Sequence, residues 1–325
     1  NMSFSVSIKN SNVEYGGNSF NSIFANKLNI FNFKFLNMLR EIILFYKTAP
    51  SLIKQDIKNE TLGNFLDKAN LSKYFVEYHL IPMVAAIWSM PFEKAKEMPL
   101  KLFLNFFNNH GLFKLKKRPQ WYTVTNRSRI YVKKVLEKIS GEVFKNYKIS
   151  KIVRSEENVR ILIDSKYLDY DHVVLASHAD QSLKMLEDPT EEEKEILTKF
   201  SYVSNRAYLH IDKNLMPQRK SAWSSWNSIT KENKTCVTYW LNKLQNLKTE
   251  KNYFLTLNPV EKINEENIIK KVNFTHPYFN NENVTLQKDL HSLQGKKRTW
   301  FCGSYFGYGF HEDGLKSSLK LLEKF

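Results

Sequence analysis

Near the end of the chain, "WFCGSYFGYGFHEDGLKSSLKLLEKF" (Trp300 to Phe325) sets His311, Glu312 and Asp313 behind three glycines spaced through aromatic residues. A histidine titrates near neutral pH, which makes His311 a candidate to hold or pass a proton. Gly303, Gly307 and Gly309 allow positive φ or a close approach of backbone to a ligand. Glu312 or Asp313 then opens a segment whose Leu315, Leu319 and Leu322 recur at helical spacing. A strand, a glycine-relieved loop and a helix start together offer free backbone N–H groups to an anion or an electron-rich ring edge. An ordinary strand-turn-helix has the same pattern, and the residues alone leave both readings open.

A second stretch supplies a partner for this motif. In "YDHVVLASHADQSLKML", Val173 to Ala176 are consecutively apolar, which predicts a strand buried on both faces of a parallel sheet, followed by the turn Ala176-Ser177-His178. Buried strands ending in small-residue turns recur where a dinucleotide lies at strand C-termini. Upstream, "YKISKIVRSEENVRILIDSKYLDY" reads as two strands around a hairpin at Glu156-Glu157-Asn158, and Thr190 with Glu193 forms a predicted capping box.

The remainder splits into two styles. "MSFSVSIKNSNVEYGG" alternates with period two and ends in a turn. Residues 19 to 113 are helical in pattern, punctuated by Pro50, Pro82, Pro91 and Pro99 as predicted helix boundaries. Aromatic strands follow from about Tyr202 to Pro259, where Trp223, Trp226, Tyr239 and Trp240 are candidates to line an apolar substrate pocket or to fill a sheet core.

Composition narrows the class. With 325 residues and 42% hydrophobic, the chain has the apolar surface for a large core in one or two domains, and disorder is excluded. The net charge of +16 would suit nucleic acid or an anionic membrane. No RNA-binding signature, zinc-finger spacing or basic heptad helix accompanies it, so no nucleic-acid partner is expected. "FKLKKRPQW" (Phe113 to Trp121) is the local basic cluster, read as a solvated loop or an anion or lipid-headgroup site. Two cysteines, Cys236 and Cys302, are too few for a disulfide framework and fit a cytoplasmic, reducing setting. His79, His110, His178 and His210 lack metal-ligand spacing, and no metal is expected. "LNIFNFKFLNMLREIILFYK" carries Lys34, Arg40 and Glu41, so it is no membrane span. Its apolar residues from Phe35 to Tyr46 give a helix face that packs in a core or lies peripherally on a membrane.

Ten stretches carry a resemblance, in order along nearly the whole chain: "MSFSVSI", "LIPMVAAIWSMP", "FFNNHGL", "RPQWYTV", "DHVVLASHADQSLKML", "NRAYLHID", "AWSSWN", "CVTYWLNKLQ", "LTLNP" and "RTWFCGSYFGYGFHEDGLKSSL". On them the chain resembles the flavin-containing amine oxidase superfamily, and within it a bacterial NAD/FAD-binding protein family. The resemblance implies a mixed α/β (α+β) two-domain flavoprotein, with a Rossmann-like FAD domain assembled from discontinuous segments and a helical and antiparallel-sheet substrate domain. The expected division is substrate domain 1–117 and 189–296, FAD domain 118–188 and 297–325.

Carried over by position, the resemblance implies FAD contacts from Ile149 in "KISKI", from Ala176 and Ser177 with His178 at the turn, and from Gly303 and Ser304 near the ribityl-pyrophosphate region. Tyr308, Gly309, Phe310, His311, Glu312, Asp313, Gly314 and Leu315 would pass the flavin ring, with the N–H of Phe310 or His311 stabilising charge on reduced flavin. Three departures stand out. Ser304 replaces a frequent acidic residue, Asn126-Arg127 replaces a glycine pair, and no GxGxxG follows any strand. The expectation is therefore a chain lacking its N-terminal βαβ unit, preceded by further residues before Asn1 and inactive alone. The expected activity is FAD-dependent oxidation of an apolar or amine-bearing small molecule, a modified or unsaturated fatty acyl lipid being the favoured class. A flavin-dependent isomerase or mutase is the first alternative, and a non-catalytic membrane-surface or scaffold protein with an incomplete flavin site is the second.

Overall fold

The computed structural model describes residues 2–9, 11, 13–232 and 234–325. Asn1, on which the expectation of a preceding segment turns, lies outside them. The strands are β1 (Phe4–Ile8), β2 (Glu14–Gly16), β3 (Ile149–Arg154), β4 (Val159–Ile163), β5 (Lys166–Tyr170), β6 (Val173–Leu175), β7 (Tyr202–His210), β8 (Trp226–Lys231), β9 (Lys234–Trp240), β10 (Phe254–Leu257), β11 (Ile268–Pro277) and β12 (Thr299–Phe301). Two compact units share them: Asn1–Ser128 with Val203–His276, and Arg129–Tyr202 with Pro277–Phe325.

The first unit joins a sheet in the order β11-β7-β10-β9-β8-β1-β2 to the helical block. β1 runs parallel to β8, with Ser5 opposite Asn227, whereas β8, β9 and β10 pair antiparallel. Phe35, Met38, Phe75, Leu80, Ile81 and Phe103 are fully buried. Pro91 and Pro99 stand at helix starts, where a missing N–H costs nothing, whereas Pro82 lies in a helix that runs on from the turn Val76–Leu80, and the Tyr78 carbonyl four residues before it accepts the Tyr15 O–H instead. Pro50 differs from expectation: it sits in the last turn of the helix Phe33–Leu52, which runs two residues past it. That helix buries Phe35, Met38, Phe45 and Tyr46, while Ile43 of the expected core face is exposed.

In the second unit, β3, β4 and β5 form an antiparallel meander. Asp164 and Ser165 both take positive φ (46° and 68°), the two-residue hairpin geometry that matches strand twist. The hairpin splits what the sequence shows as one run. β6 and β12 pair in parallel, Val174 opposite Trp300. Val174 is 47% exposed, so β6 is buried on one face and not on two; no second parallel neighbour flanks it among the described residues. The core here gathers Ile152, Val173, Leu175 and Phe301 with Ile196, Leu197, Phe200, Leu290 and Leu293. Those last five residues draw 189–202 and 277–296 into this unit, whereas residues 118–128 go with the first. Cys236 on β9 and Cys302 just after β12 are buried and unbridged.

Candidate functional site

Within the second unit, the parallel pairing brings the C-terminal ends of β6 and β12 side by side, and the Cys302 N–H donates to the Leu175 carbonyl at 3.1 Å. The loops that follow carry four of the expected residues, Ala176, Ser177, Gly303 and Ser304. Gly303 has φ +156°, and a Cβ there would lie 2.7 Å from the Tyr305 ring and 3.7 Å from the Ser177 carbonyl oxygen. A side chain at this position is excluded by that ring. His178 stacks flat on Tyr202 (4.1 Å, 9°), whose hydroxyl accepts the Ala179 N–H at 2.8 Å. Burial lowers the His178 pKa, with Asp180 opposing. Ser177 Oγ meets Ser182 Oγ at 2.8 Å.

The glycine-spaced loop then folds onto the helix His311–Leu322. Gly307 and Gly309 both donate to the Ser304 carbonyl at 3.1 Å. Gly309 has φ +91° and lies against Phe279 and Pro277. The Asp313 carboxylate accepts the Phe310 N–H at 3.0 Å, and Ser317 Oγ accepts the Gly303 N–H at 2.9 Å. The Phe310 N–H, a candidate flavin donor by sequence, is thus taken by the helix's own cap. Among the described residues, the Ser304, His311 and Glu312 N–H groups have no acceptor in the chain. His311 Nδ1 meets the Tyr131 hydroxyl at 3.0 Å on an exposed surface. Burial, then the Asp313 charge, raises the Tyr308 pKa. Gly314 passes close to the Ser304 nitrogen, Leu315 is exposed, and Ile149 opens β3 opposite Ile163, apart from this cluster in the pairing scheme. Tyr202 and the buried Tyr305 hydroxyl, which has no partner among the described residues, belong to the strand-end region, yet neither has a spacing signal in the sequence.

In the first unit the four expected aromatics separate into two edge-on pairs. Trp223 and Trp240 (5.3 Å) pack with Phe254, and their indole N–H groups donate to the Pro217 carbonyl and Asn252 Oδ1. Trp226 and Tyr239 (5.0 Å) form the other pair. Trp226 lines an apolar cavity of about 120 Å³ together with Phe4, Tyr46, Met83, Ile87 and Arg118, and its shielded indole N–H has no partner among the described residues. The Arg118 Nε–H donates to the Lys114 carbonyl at 2.7 Å, and among the described residues the guanidinium meets no carboxylate.

Behind Tyr46 lies a buried relay that sequence reasoning missed. Its members come from β2, the helix Phe33–Leu52 and a π turn, Val76–Leu80. Tyr15 donates its one hydroxyl proton to the Tyr78 carbonyl at 2.9 Å, so the same oxygen accepts from His79 Nδ1–H at 2.9 Å. His79 Nε2 is then bare and accepts the Tyr46 O–H at 3.0 Å. Burial, reinforced by the Arg118 charge, pushes the His79 pKa down to about 3, and burial raises Tyr15 and Tyr46. Tyr46 therefore turns its proton away from the cavity. Among the described residues no three His, Cys, Asp or Glu side chains gather in metal-binding range.

By sequence, no protein-family model and no curated protein matches the chain. Solved structures match it throughout. A CLA-producing fatty acid isomerase from P. acnes is 12% identical with a TM-score of 0.65, over 100% of this chain and 80% of that one. Putrescine oxidase bound to putrescine is 11% identical (TM-score 0.62, 99% and 80% covered), and cyclohexylamine oxidase from Brevibacterium oxydans is 9% identical (TM-score 0.59, 99% and 81% covered). These are flavin amine oxidase superfamily members. The chain has the amine-oxidase-type flavoprotein fold. At such identities the likeness establishes architecture, and chemistry has to be argued from the residues.

Proposed function

We propose that the chain is an FAD-dependent oxidoreductase of the bacterial NAD/FAD-binding kind, acting on an apolar or amine-bearing small molecule. A modified or unsaturated fatty acyl lipid is the first substrate class to test. The observation that carries this reading is that, among the described residues, three N–H groups have no acceptor in the chain, on Ser304 just past the end of β12 and on His311 and Glu312 at the start of the helix that follows its loop, in a chain with this fold.

These residues fit the ring and ribityl portion of FAD. Gly303 keeps side-chain atoms off the strand end, and the helix start at His311 and Glu312 offers donors and a positive dipole end to negative charge. The pyrophosphate has no glycine-rich loop in this sequence, so binding of free FAD is expected to be weak. When bound, flavin supplies hydride acceptance. The chain's own part is positioning: His311 is held at Nδ1 by Tyr131, where it can take or return a proton, and Trp226, Met83 and Ile87 offer dry walls to an apolar ligand.

Titration of FAD fluorescence against the chain tests the reading. Saturable quenching that is lost in Gly303→Val supports it, whereas equal quenching by both proteins removes the strand-end site. Because weak binding is expected, the titration is carried to the highest soluble FAD concentration, and the absence of quenching there removes flavin from this chain's chemistry. The isomerase alternative draws on the fatty acid isomerase fold match. It predicts that product forms only with reduced flavin and without net electron consumption.

A further inference from the structure

The segment before and into the helix Phe33–Leu52 exposes large apolar side chains to an unusual degree. Phe33 is 86% exposed, Phe31 80%, Phe20 73% and Leu28 69%. The local structure holds them out. Asn26 Oδ1 accepts the Leu28 N–H and starts a 3₁₀ turn, Lys27–Phe31, in which Asn29 is buried; Leu28 and Phe31, three residues apart, then project together. Asn32 Oδ1 caps the following helix at the Phe35 N–H, leaving Phe33 in the exposed first turn.

Charge is as one-sided as exposure. No aspartate or glutamate occurs between Tyr15 and Arg40. The outward side of the helix carries Phe33, Lys34, Arg40, Ile43, Leu44 and Lys47, all exposed. Its acidic residue, Glu41, is turned to Ser72, accepting the backbone N–H at 2.9 Å and the hydroxyl as well. Among the described residues, Lys27, Lys34, Arg40 and Lys47 have no acidic partner. A second copy of the chain would bring these cations face to face, and a nucleic acid would leave the phenylalanines in water. Exposed aromatic side chains flanked by unneutralised cations match the boundary between lipid phosphates and acyl chains.

We propose that this surface docks the protein on an anionic bilayer. Leu28, Phe31 and Phe33 enter the headgroup and acyl boundary, and Lys27, Lys34, Arg40 and Lys47 meet the phosphates. No described helix is long and apolar enough to cross a membrane, so the contact is with the surface. It stands independently of the flavin reading.

Flotation with vesicles tests it, using phosphatidylcholine alone and equal parts phosphatidylcholine and phosphatidylglycerol. The full chain is expected to float with the anionic vesicles and to release as salt is raised. Phe31→Ser with Phe33→Ser, and separately Lys34→Glu with Arg40→Glu, should each weaken partitioning by about tenfold or more while leaving thermal melting unchanged, because the altered side chains are already exposed. In Phe31→Trp, indole emission should shift to the blue on anionic vesicles. Equal partitioning of the variants and the parent overturns the proposal, as does failure of the parent to bind anionic vesicles. Vesicle-free dimers that vanish in the Phe31→Ser, Phe33→Ser protein would assign the surface to a second copy instead.

Discussion

The two units differ in the polar network at their centres, although the first also buries a carboxylate, Glu14, which accepts the Gln218 and Arg219 N–H groups. Across the sheet of the first unit, a row of neutral side chains runs from strand to strand: Ser5 donates to Asn227 Oδ1 (2.7 Å), Asn227 Nδ2 donates to the Thr238 carbonyl (3.0 Å), and Thr238, Thr256 and His210 follow at 2.8 and 2.7 Å. The second unit buries charge. Arg154, its side chain wholly buried on β3, donates to both Glu193 oxygens (2.6 and 2.9 Å), to Asp188 Oδ1 (3.2 Å) and to Thr299 Oγ1 at the start of β12 (3.2 Å). Neutral partners fix register at small individual cost, because each desolvated group is exchanged for one hydrogen bond. An ion pair out of water is different in kind: losing one partner strands the other's charge.

The largest effect expected from that contrast is Glu193→Ala, which leaves Arg154 buried beside only Asp188 and should destabilise the second unit by about 3–5 kcal/mol. Urea unfolding followed by hydrogen exchange in each unit would read it, and the first unit's protection should stay in place. Asn227→Ala should cost the first unit less, about 2 kcal/mol, since it orphans neutral donors and acceptors on Ser5, Ser224 and Thr238. Equal losses for the two variants would break the distinction.

Acid should separate the units as well. His79 has its folded pKa lowered to about 3 from 6.5, so the unfolded first unit binds more protons between those values. Its stability is whole above pH 6.5 and declines as pH falls toward 3, and His210, lowered chiefly by burial, adds to the same slope. In the second unit Asp188 is lowered below 3.8: burial pushes it up, but the hydrogen bond from Lys297 and the Arg154 charge outweigh that. Its contribution is present above pH 3.8 and is lost only as pH falls through the folded value. His178 and His291, both lowered chiefly by burial, give the second unit a slope of the same sign, but without the large shift of His79. Midpoints measured from pH 7 to pH 3 should therefore fall more steeply in the first unit, and a His79→Phe variant should flatten that fall. The smallest effect is Thr190→Ala, which removes the hydroxyl accepting the Glu193 N–H at 3.1 Å and should cost about 1 kcal/mol in thermal melting.

How much of this the sequence shows depends on the range of the interaction. The Thr190 and Glu193 capping box is legible because its partners lie three residues apart, and the structure contains it. The hairpin after Arg154 is equally local, the Ser155 N–H donating to the Asn158 carbonyl. The parallel run at Val173 and the short strand at Thr299 are legible as apolar stretches, though not the exposure of Val174, which depends on what neighbours the sheet has. Arg154, Glu193 and Thr299 converge from three distant segments, as do Tyr15, Tyr46 and His79, and no periodicity marks a residue for such a meeting. The aromatic set resolves differently: Trp223, Trp226, Tyr239 and Trp240 are close in sequence and alike in composition, but their positions around β8 and β9 divide them into two half-buried edge-on pairs, with Trp226 of one pair lining the apolar cavity.

The two cysteines lend themselves to a clock for each unit. Cys236, its thiol pushed up to about 12 chiefly by burial, lies in the first, and buried Cys302 lies in the second. A thiolate reagent reaches either sulfur only while its surroundings are open. Pulsed alkylation resolved by peptide mass would therefore time the opening of the cavity-bearing unit and of the strand-end unit in one sample, with no engineered label.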